Sequence, residues 1–284
     1  TVEPPAGIPT ADDGLTLPSS WEACVGGVPD SDGDGLSDPC ELEVARTFAP
    51  ALVVDSGSCD WDRSVPGGRL GGEYLFGVAP QGQASMRVAY LPAYYRDCGW
   101  SGPKCLLPGT GCAGHAGDSE LIALEIGFNG RRWWVEKVVL SAHCFGRRRR
   151  CEWMGPTEWS RAAWLDGVQR GAPVVFIASG THASYPTRSA CDSGHYSLDT
   201  CDSNDTVYRY PIRGEFQNIG SRAHPMGGDG CIAPGHVGWG SRMVAEGREE
   251  CIWDEGGTFL GWQAEATGNP PTPYGRYLST VLGW

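Results

Sequence analysis

No stretch of this chain is apolar for long enough to cross a bilayer as a helix, so no transmembrane segment is expected. Positive charge is scarce: 22 Lys and Arg stand against 34 Asp and Glu, a formal net charge of −12. A general nucleic-acid binder normally carries a basic excess, so nucleic acid is not the expected partner. The cysteines lack the paired C-x-x-C spacing of structural zinc sites. No G-x-S-x-G elbow is present, which argues against a serine hydrolase. No internal repeat is visible. The residues after Thr1 have neither the charged n-region nor the apolar core of an export signal, so any such signal is expected to have been removed or left out.

What is there is turn-forming and aromatic. With 284 residues the chain has room for one large all-β domain or two smaller ones. Its 42 Gly, 21 Pro and 12 Trp favour short strands and turns over long helices. Twelve cysteines, an even number scattered through loop-like contexts, suggest a secreted protein with up to six disulfides. Connectivity does not follow from sequence. Short loops suggest Cys24–Cys40, Cys105–Cys112, Cys144–Cys151, Cys191–Cys201 and Cys231–Cys251, leaving Cys59–Cys98.

Residues 1–29 read as a Pro-rich extended arm tied down by Trp21 and Cys24. The next twelve residues, from Asp30 to Glu41, match the calcium-loop pattern D-x-D-x-D-G-x5-E in full. Asp30, Asp32, Asp34, Leu36, Asp38 and Glu41 occupy its ligand positions, Leu36 through its carbonyl, and Gly35 supplies the sharp turn. An acidic surface turn of the same composition would bind nothing, but here every diagnostic position is filled. Asp38, Pro39 and Glu41 suit the start of a helix running to about Phe48. No helix precedes the loop, so it resembles the solitary calcium loops of extracellular proteins, with a structural role. Residues 1–41 are therefore taken as an arm with a calcium loop, and residues 42–284 as the main domain.

Short apolar runs at residues 51–54 and 86–91 read as strands, the second ending at Asp97. A Cys- and Gly-rich loop leads to Gly114-His115-Ala116-Gly117-Asp118-Ser119-Glu120, with a strand expected over residues 121–126. On a strand Asp118 and Glu120 would share one face, with His115 in the turn before them. Two carboxylates on one face repel unless a cation or proton lies between them, which points to a divalent ion. Mg, Mn, Ca and Zn all suit such a mixed N/O set. Residues 131–143 read as a hairpin partner ending in His143. Arg147, Arg148, Arg149 and Arg150, between Cys144 and Cys151, form either an anion patch or a solvated loop. A helix is expected over residues 157–170, and a buried strand over residues 173–178 leads to His182, which is open to three readings: a ligand, a general base, or a residue bonding backbone in a turn. His195, His224 and His236 read as ordinary structural histidines. Most tryptophans should be core, with Trp100, Trp133 and Trp134 candidates for a sugar or interface platform.

The segment from Gly114 to Glu120 resembles the heptapeptide of necrosis-inducing, ethylene-inducing peptide-like cytolysins. Gly180-Thr181-His182-Ala183-Ser184-Tyr185 is similar to their relatives, the vacuolar-sorting-protein-like domains. The resemblance covers about residues 42–284 and implies a secreted protein with a central β-sandwich, long disulfide-tied loops and a few short peripheral helices. It further implies a divalent ion in an acidic cleft, held by His115, Asp118 and Glu120, with Asp97 and His143 added. A glycosylated lipid headgroup at a membrane surface is the family's target. The family motif usually carries a second His and a Trp where this chain has Gly117 and Ser119, and the chain has far more cysteines than the short cytolysins. The implied metal ligands are intact, whereas the target-recognition positions differ.

Two functions follow. The first is a secreted, divalent-metal-dependent binder of polar lipid headgroups or glycans, with cytolysis implied by the family. The second is a metal-dependent hydrolase or lyase on an anionic or glycan substrate, with His182 or His143 as base.

Overall fold

The computed structural model of the chain describes residues 17–54, 70–97, 115–119, 121–140, 173–193, 199–201, 206–209, 216–220, 224, 231–232 and 250–251. A 3-10 turn at Trp21–Ala23 leads through the acidic loop into α1 (Asp38–Phe48), and β1 (Ala51–Val54) follows. Then come β2 (Leu70–Pro80), β3 (Ser85–Asp97), β4 (His115–Ser119), β5 (Ile122–Phe128) and β6 (Trp133–Leu140). After β7 (Val174–Ile177), β8 (Ser184–Tyr185) and α2 (Arg188–Asp192) lie β9 (Thr206–Arg209), β10 (Phe216–Asn218), β11 (Cys231–Ile232) and β12 (Glu250–Cys251). The described chain is all-β with two α-helices, as its turn-rich composition implies.

Two main sheets form the frame. One has the order β10-β2-β3-β5-β6 with β4 also paired to β3, and the other is β8-β7-β1-β9. Neighbours in the first sheet are antiparallel except β10, which runs parallel to β2. Strand β3 is long enough to serve two partners. Its first half pairs with β5, from Ser85↔Gly127 to Tyr90↔Ile122, and its second with β4, from Ala93↔Ser119 to Asp97↔His115. The sequence from His115 to Phe128 is thus two strands laid end to end along one neighbour. His115, expected in a turn, begins β4 because the ladder with β3 extends to it.

Alternation within β1 and β7 explains how the sheets stack. Leu52, Val54, Val175 and Ile177 join Phe76, Val78, Met86, Val88, Tyr90, Ile122, Leu124 and Ile126 in one core between the sheets. Ala51, Val53, Val174 and Phe176 face the other way, against Ala183, Tyr185 and the cystine Cys191–Cys201. Both faces of this sheet are therefore buried, which is why β1 and β7 are continuously apolar.

Helix α1 seals one side of the core. Cys40, Val44 and Phe48, spaced at i, i+4 and i+8, and Ala45 beside them are all buried. Tyr90 Oη donates a hydrogen bond to the carbonyl of Ala45 (3.0 Å), tying α1 to β3. The helix begins one residue earlier than its capping pattern suggests, with Ser37 rather than Asp38 at the N-cap. It runs through the expected boundary at 41/42, and Cys24, Leu36 and Cys40 lie in the same core as the sheets.

Cys24–Cys40 and Cys191–Cys201 are bonded as expected, and Cys231 and Cys251 are register partners in β11–β12. The remaining expected pairs, and the helix over 157–170, lie outside the described residues. Trp133 and Trp134 do not form an exposed platform; they are 3% and 5% exposed. The Trp133 ring packs on Phe128 and Trp21, and its indole N–H donates to the carbonyl of Pro18 (2.9 Å). Trp134 lies over Gly127, where a Cβ would come within 2.9 Å of its ring. Trp100 lies outside the described residues.

Candidate metal centres

The N-terminal loop is a tight, tied-down turn. Gly33 and Gly35 take φ of +66° and +96°, conformations in which a side chain is strained. Val25 and Leu36 form a β-bridge, Ser37 N donates to the carbonyl of Cys24 (2.9 Å), and Asp38 N donates to that of Pro29 (2.8 Å). The cystine Cys24–Cys40 closes the segment with a sequence separation of 16. A closed loop of that size contributes about 3 kcal/mol in the chain-entropy picture. Leu36 fixes the middle of the loop by burying its side chain in the core.

Inside this frame the acids converge. Asp30, Asp32 and Asp34 each present an oxygen within 4.8 Å of the others. Asp30 Oδ2 accepts from Gly35 N (3.1 Å) and Asp34 Oδ1 accepts from Leu36 N (2.8 Å). Their second oxygens, Asp30 Oδ1 and Asp34 Oδ2, are buried without a hydrogen-bond partner. Glu41 is fully buried; Oε2 accepts from the Asn218 amide (2.9 Å), and Oε1 has no partner. Both Asp38 oxygens are engaged by Ser31, from its N–H (2.8 Å) and its hydroxyl (2.6 Å). Asp38 therefore suits the loop position that reaches an ion through water.

The electrostatics are costly for the protein alone. Burial, then the charges of Asp32, Asp34 and Asp38, push the Glu41 carboxyl up to about 10. Asp34 is pushed up to about 7 and Asp32 to about 6, in both cases chiefly by burial. Hydrogen bonds from the loop backbone pull both back only in part. A buried carboxylate without a counter-charge is unfavourable. Unpartnered buried oxygens from residues 30, 34 and 41, together with three further acidic or carbonyl positions, match the all-oxygen donor set of calcium. The residues fit that ion.

The second centre lies where β3 meets β4. Asp97 and His115 are register partners, and Asp118 opposes Tyr94 on the same strand pair. A bulge at Arg96, which opposes both Ala116 and Gly117, re-aims the ladder between them. The backbone so places three of the five expected ligands on adjacent strand ends. Glu120, His143, Arg147, Arg148, Arg149 and Arg150 lie outside the described residues.

His182 is in neither centre. It is fully buried with φ +54°, and its N–H donates to the carbonyl of Ala178 (3.2 Å), closing the turn between β7 and β8. Around it Asp199, also fully buried, accepts from the Thr181 hydroxyl (2.9 Å) and the Tyr185 hydroxyl. These bonds satisfy the Asp199 carboxylate, in a corner that packs against the Cys191–Cys201 bridge.

Two residues at the N-terminal acidic loop carried no local signal. Asn218 ends β10 and bonds Glu41 across 177 positions of sequence. His224 Nδ1 lies 2.8 Å from the carbonyl of Asp32, which can only accept, so Nδ1 carries the proton. A loop pattern reads twelve consecutive residues and cannot name partners contributed by a distant strand.

No protein-family model and no curated protein matches the chain. Among solved structures, one described as "Toxin fold for microbial attack and plant defense" is 14% identical, with 63% of this chain and 74% of that one covered and a TM-score of 0.31. Another, "NLPPya in complex with mannosamine", is 13% identical, with 55% of this chain and 81% of that one covered and a TM-score of 0.28.

Proposed function

We propose that the protein is an extracellular, divalent-metal-dependent binder of polar lipid headgroups or glycans. One calcium ion in the N-terminal loop stiffens it, and a second divalent ion at the β3–β4 ends takes part in recognition. The observation that carries the recognition site is the β3–β4 register. It pairs Asp97 with His115 and sets Asp118 on the same strand as His115, although Asp97 is separated from the motif by a long loop. When bound there, the ion would supply a positive centre for sugar hydroxyls or a phosphate. The carboxylates would hold the ion, and Arg147, Arg148, Arg149 and Arg150 would supply charge for an anionic headgroup.

The two disulfides fit an oxidising compartment, and among the described residues no helix is long and apolar enough to cross a membrane. The hydrolase or lyase reading draws less support, because His182, one of its two candidate bases, is fully buried, and the other, His143, lies outside the described residues.

The test is mass spectrometry of a panel of polar lipids and glycans after incubation with the protein and a divalent metal. Mannosamine, named with one of the two similar structures, belongs in the panel. Metal-stripped protein and Asp118→Asn run beside it. The expected result is a component retained only by the metal-loaded wild type. Retention by Asp118→Asn at wild-type strength contradicts the proposal, and a new product that both controls lack makes the protein an enzyme.

A further inference from the structure

The calcium loop is a solitary one, with a helix after it and only a short 3-10 turn before it. A paired loop would brace it in a two-loop module; here the brace comes from the far end of the chain. Strand β10 adds to the edge of the larger sheet in parallel with β2, and its last residue, Asn218, donates its side-chain amide to Glu41 Oε2. That bond occupies one carboxylate oxygen and leaves Oε1 for an ion. Asn218 is itself held. Its Oδ1 accepts from Gly220 N (2.9 Å), and Ile219 N donates to the carbonyl of Phe76 in β2 (2.8 Å). Six residues beyond Asn218, His224 holds the carbonyl of Asp32, and its ring lies where a Cβ on Gly33 would come within 3.3 Å of Nδ1.

Resting on the calcium reading above, we propose that Asn218 and His224 are positioning residues of the calcium loop, so that calcium uptake and the ordering of residues 216–220 against β2 are one coupled equilibrium. Asn218 sets the rotation of the Glu41 carboxylate, and His224 sets the height of the Asp32 peptide. Both act on the ion through residues of the loop. Outer partners of this kind typically change metal affinity 10- to 100-fold when removed. Linkage makes the effect reciprocal: whatever residues 216–220 do for calcium, calcium does for those residues.

The experiment is isothermal titration of the full chain with calcium for wild type, Asn218→Ala, Asn218→Ser and His224→Ala, with melting in EDTA and amide hydrogen exchange alongside. Asn218→Ser keeps an oxygen for Gly220 N but is too short to reach Glu41, so it separates the two bonds of Asn218. The expected result is an affinity about 10-fold weaker in both Asn218 variants, with a smaller loss in His224→Ala. Calcium should also slow exchange at Ile219 and Gly220 in wild type and fail to do so in Asn218→Ala. Variant affinities within about twofold of wild type, with only the EDTA melting temperature lowered, would make these bonds merely structural and overturn the inference. Unchanged exchange at Ile219 and Gly220 in wild type on calcium addition overturns the coupling without needing any variant to fold. No calcium uptake by wild type at all overturns the loop reading itself, and this inference with it.

Discussion

Glu41 and Asp199 are both fully buried carboxylates, yet their surroundings are opposite. Asp199 receives hydroxyl donors from Thr181 and Tyr185 and sits in a corner closed by a disulfide. Glu41 receives one amide and otherwise faces Asp32, Asp34 and Asp38. The first site supplies its own compensation. The second collects like charges in a low-dielectric place, where only a cation or protons can balance them. Glu125 makes the same point on the larger sheet, where Arg87 and Lys137 hold it in an ion-paired cluster. A buried acid in this protein is either answered by neighbouring donors or, at the N-terminal loop, poised for an ion.

The contrast can be broken with calcium. Free calcium at about 1,000 times its dissociation constant should stabilise the chain by about 4 kcal/mol. For a protein of this size, denaturant unfolding in calcium against EDTA is the check. Asp199→Ala should cost about 3 kcal/mol, since two buried hydroxyl donors lose an acceptor, and the loss should be the same in calcium and EDTA. A loss confined to calcium would mean the two corners are linked.

Acidity sharpens the comparison. Glu41, Asp34 and Asp32 have folded values raised above the ordinary carboxylate range. The calcium-free folded chain therefore holds protons that the unfolded chain has released. The contribution of these three groups to stability is fullest below the ordinary carboxylate range and should decline as pH rises through about 6 and 7 and on toward 10. Calcium displaces those protons, so the decline should vanish at saturating calcium, and affinity should rise with pH. Unfolding curves from pH 5 to 9 in EDTA and in calcium read both effects. A smaller effect is expected at Gly35, where alanine at φ +96° should cost about 1 kcal/mol in EDTA. Lys137→Ala, at a half-exposed partner of Glu125, should cost about 0.5 kcal/mol.

The tight acidic loop was legible because its acidic and glycine positions are consecutive and each has a fixed chemical requirement in the pattern. Strands β1 and β7 were legible from uninterrupted apolar runs, β5 and β6 from apolar runs broken only at Glu125 and at Glu136-Lys137, and α1 from its Pro-led start and apolar face. What stayed hidden was set by tertiary pairing. Strand β4 contains two glycine-flanked polar residues and has no apolar pattern; its ladder with β3 makes it a strand. Trp133 and Trp134 looked free to serve as a platform because sequence does not show that both rings are covered. Sequence left His182 open between ligand, base and turn residue; its left-handed backbone and its bond to Ala178 place it in a turn, which local sequence could not decide. Asn218 and His224 meet the loop across 177 and 192 positions, beyond the reach of any local spacing.

The most direct test of the account is native mass spectrometry of the full wild-type chain and Glu41→Gln, each stripped with EDTA and returned to the same low free calcium. The account predicts that wild type carries a calcium ion that Glu41→Gln lacks, while Glu41→Gln melts in EDTA at or above the wild-type temperature because the cost of burying or protonating that acid is gone. Wild type without bound calcium, or Glu41→Gln retaining the ion at wild-type occupancy, would contradict it.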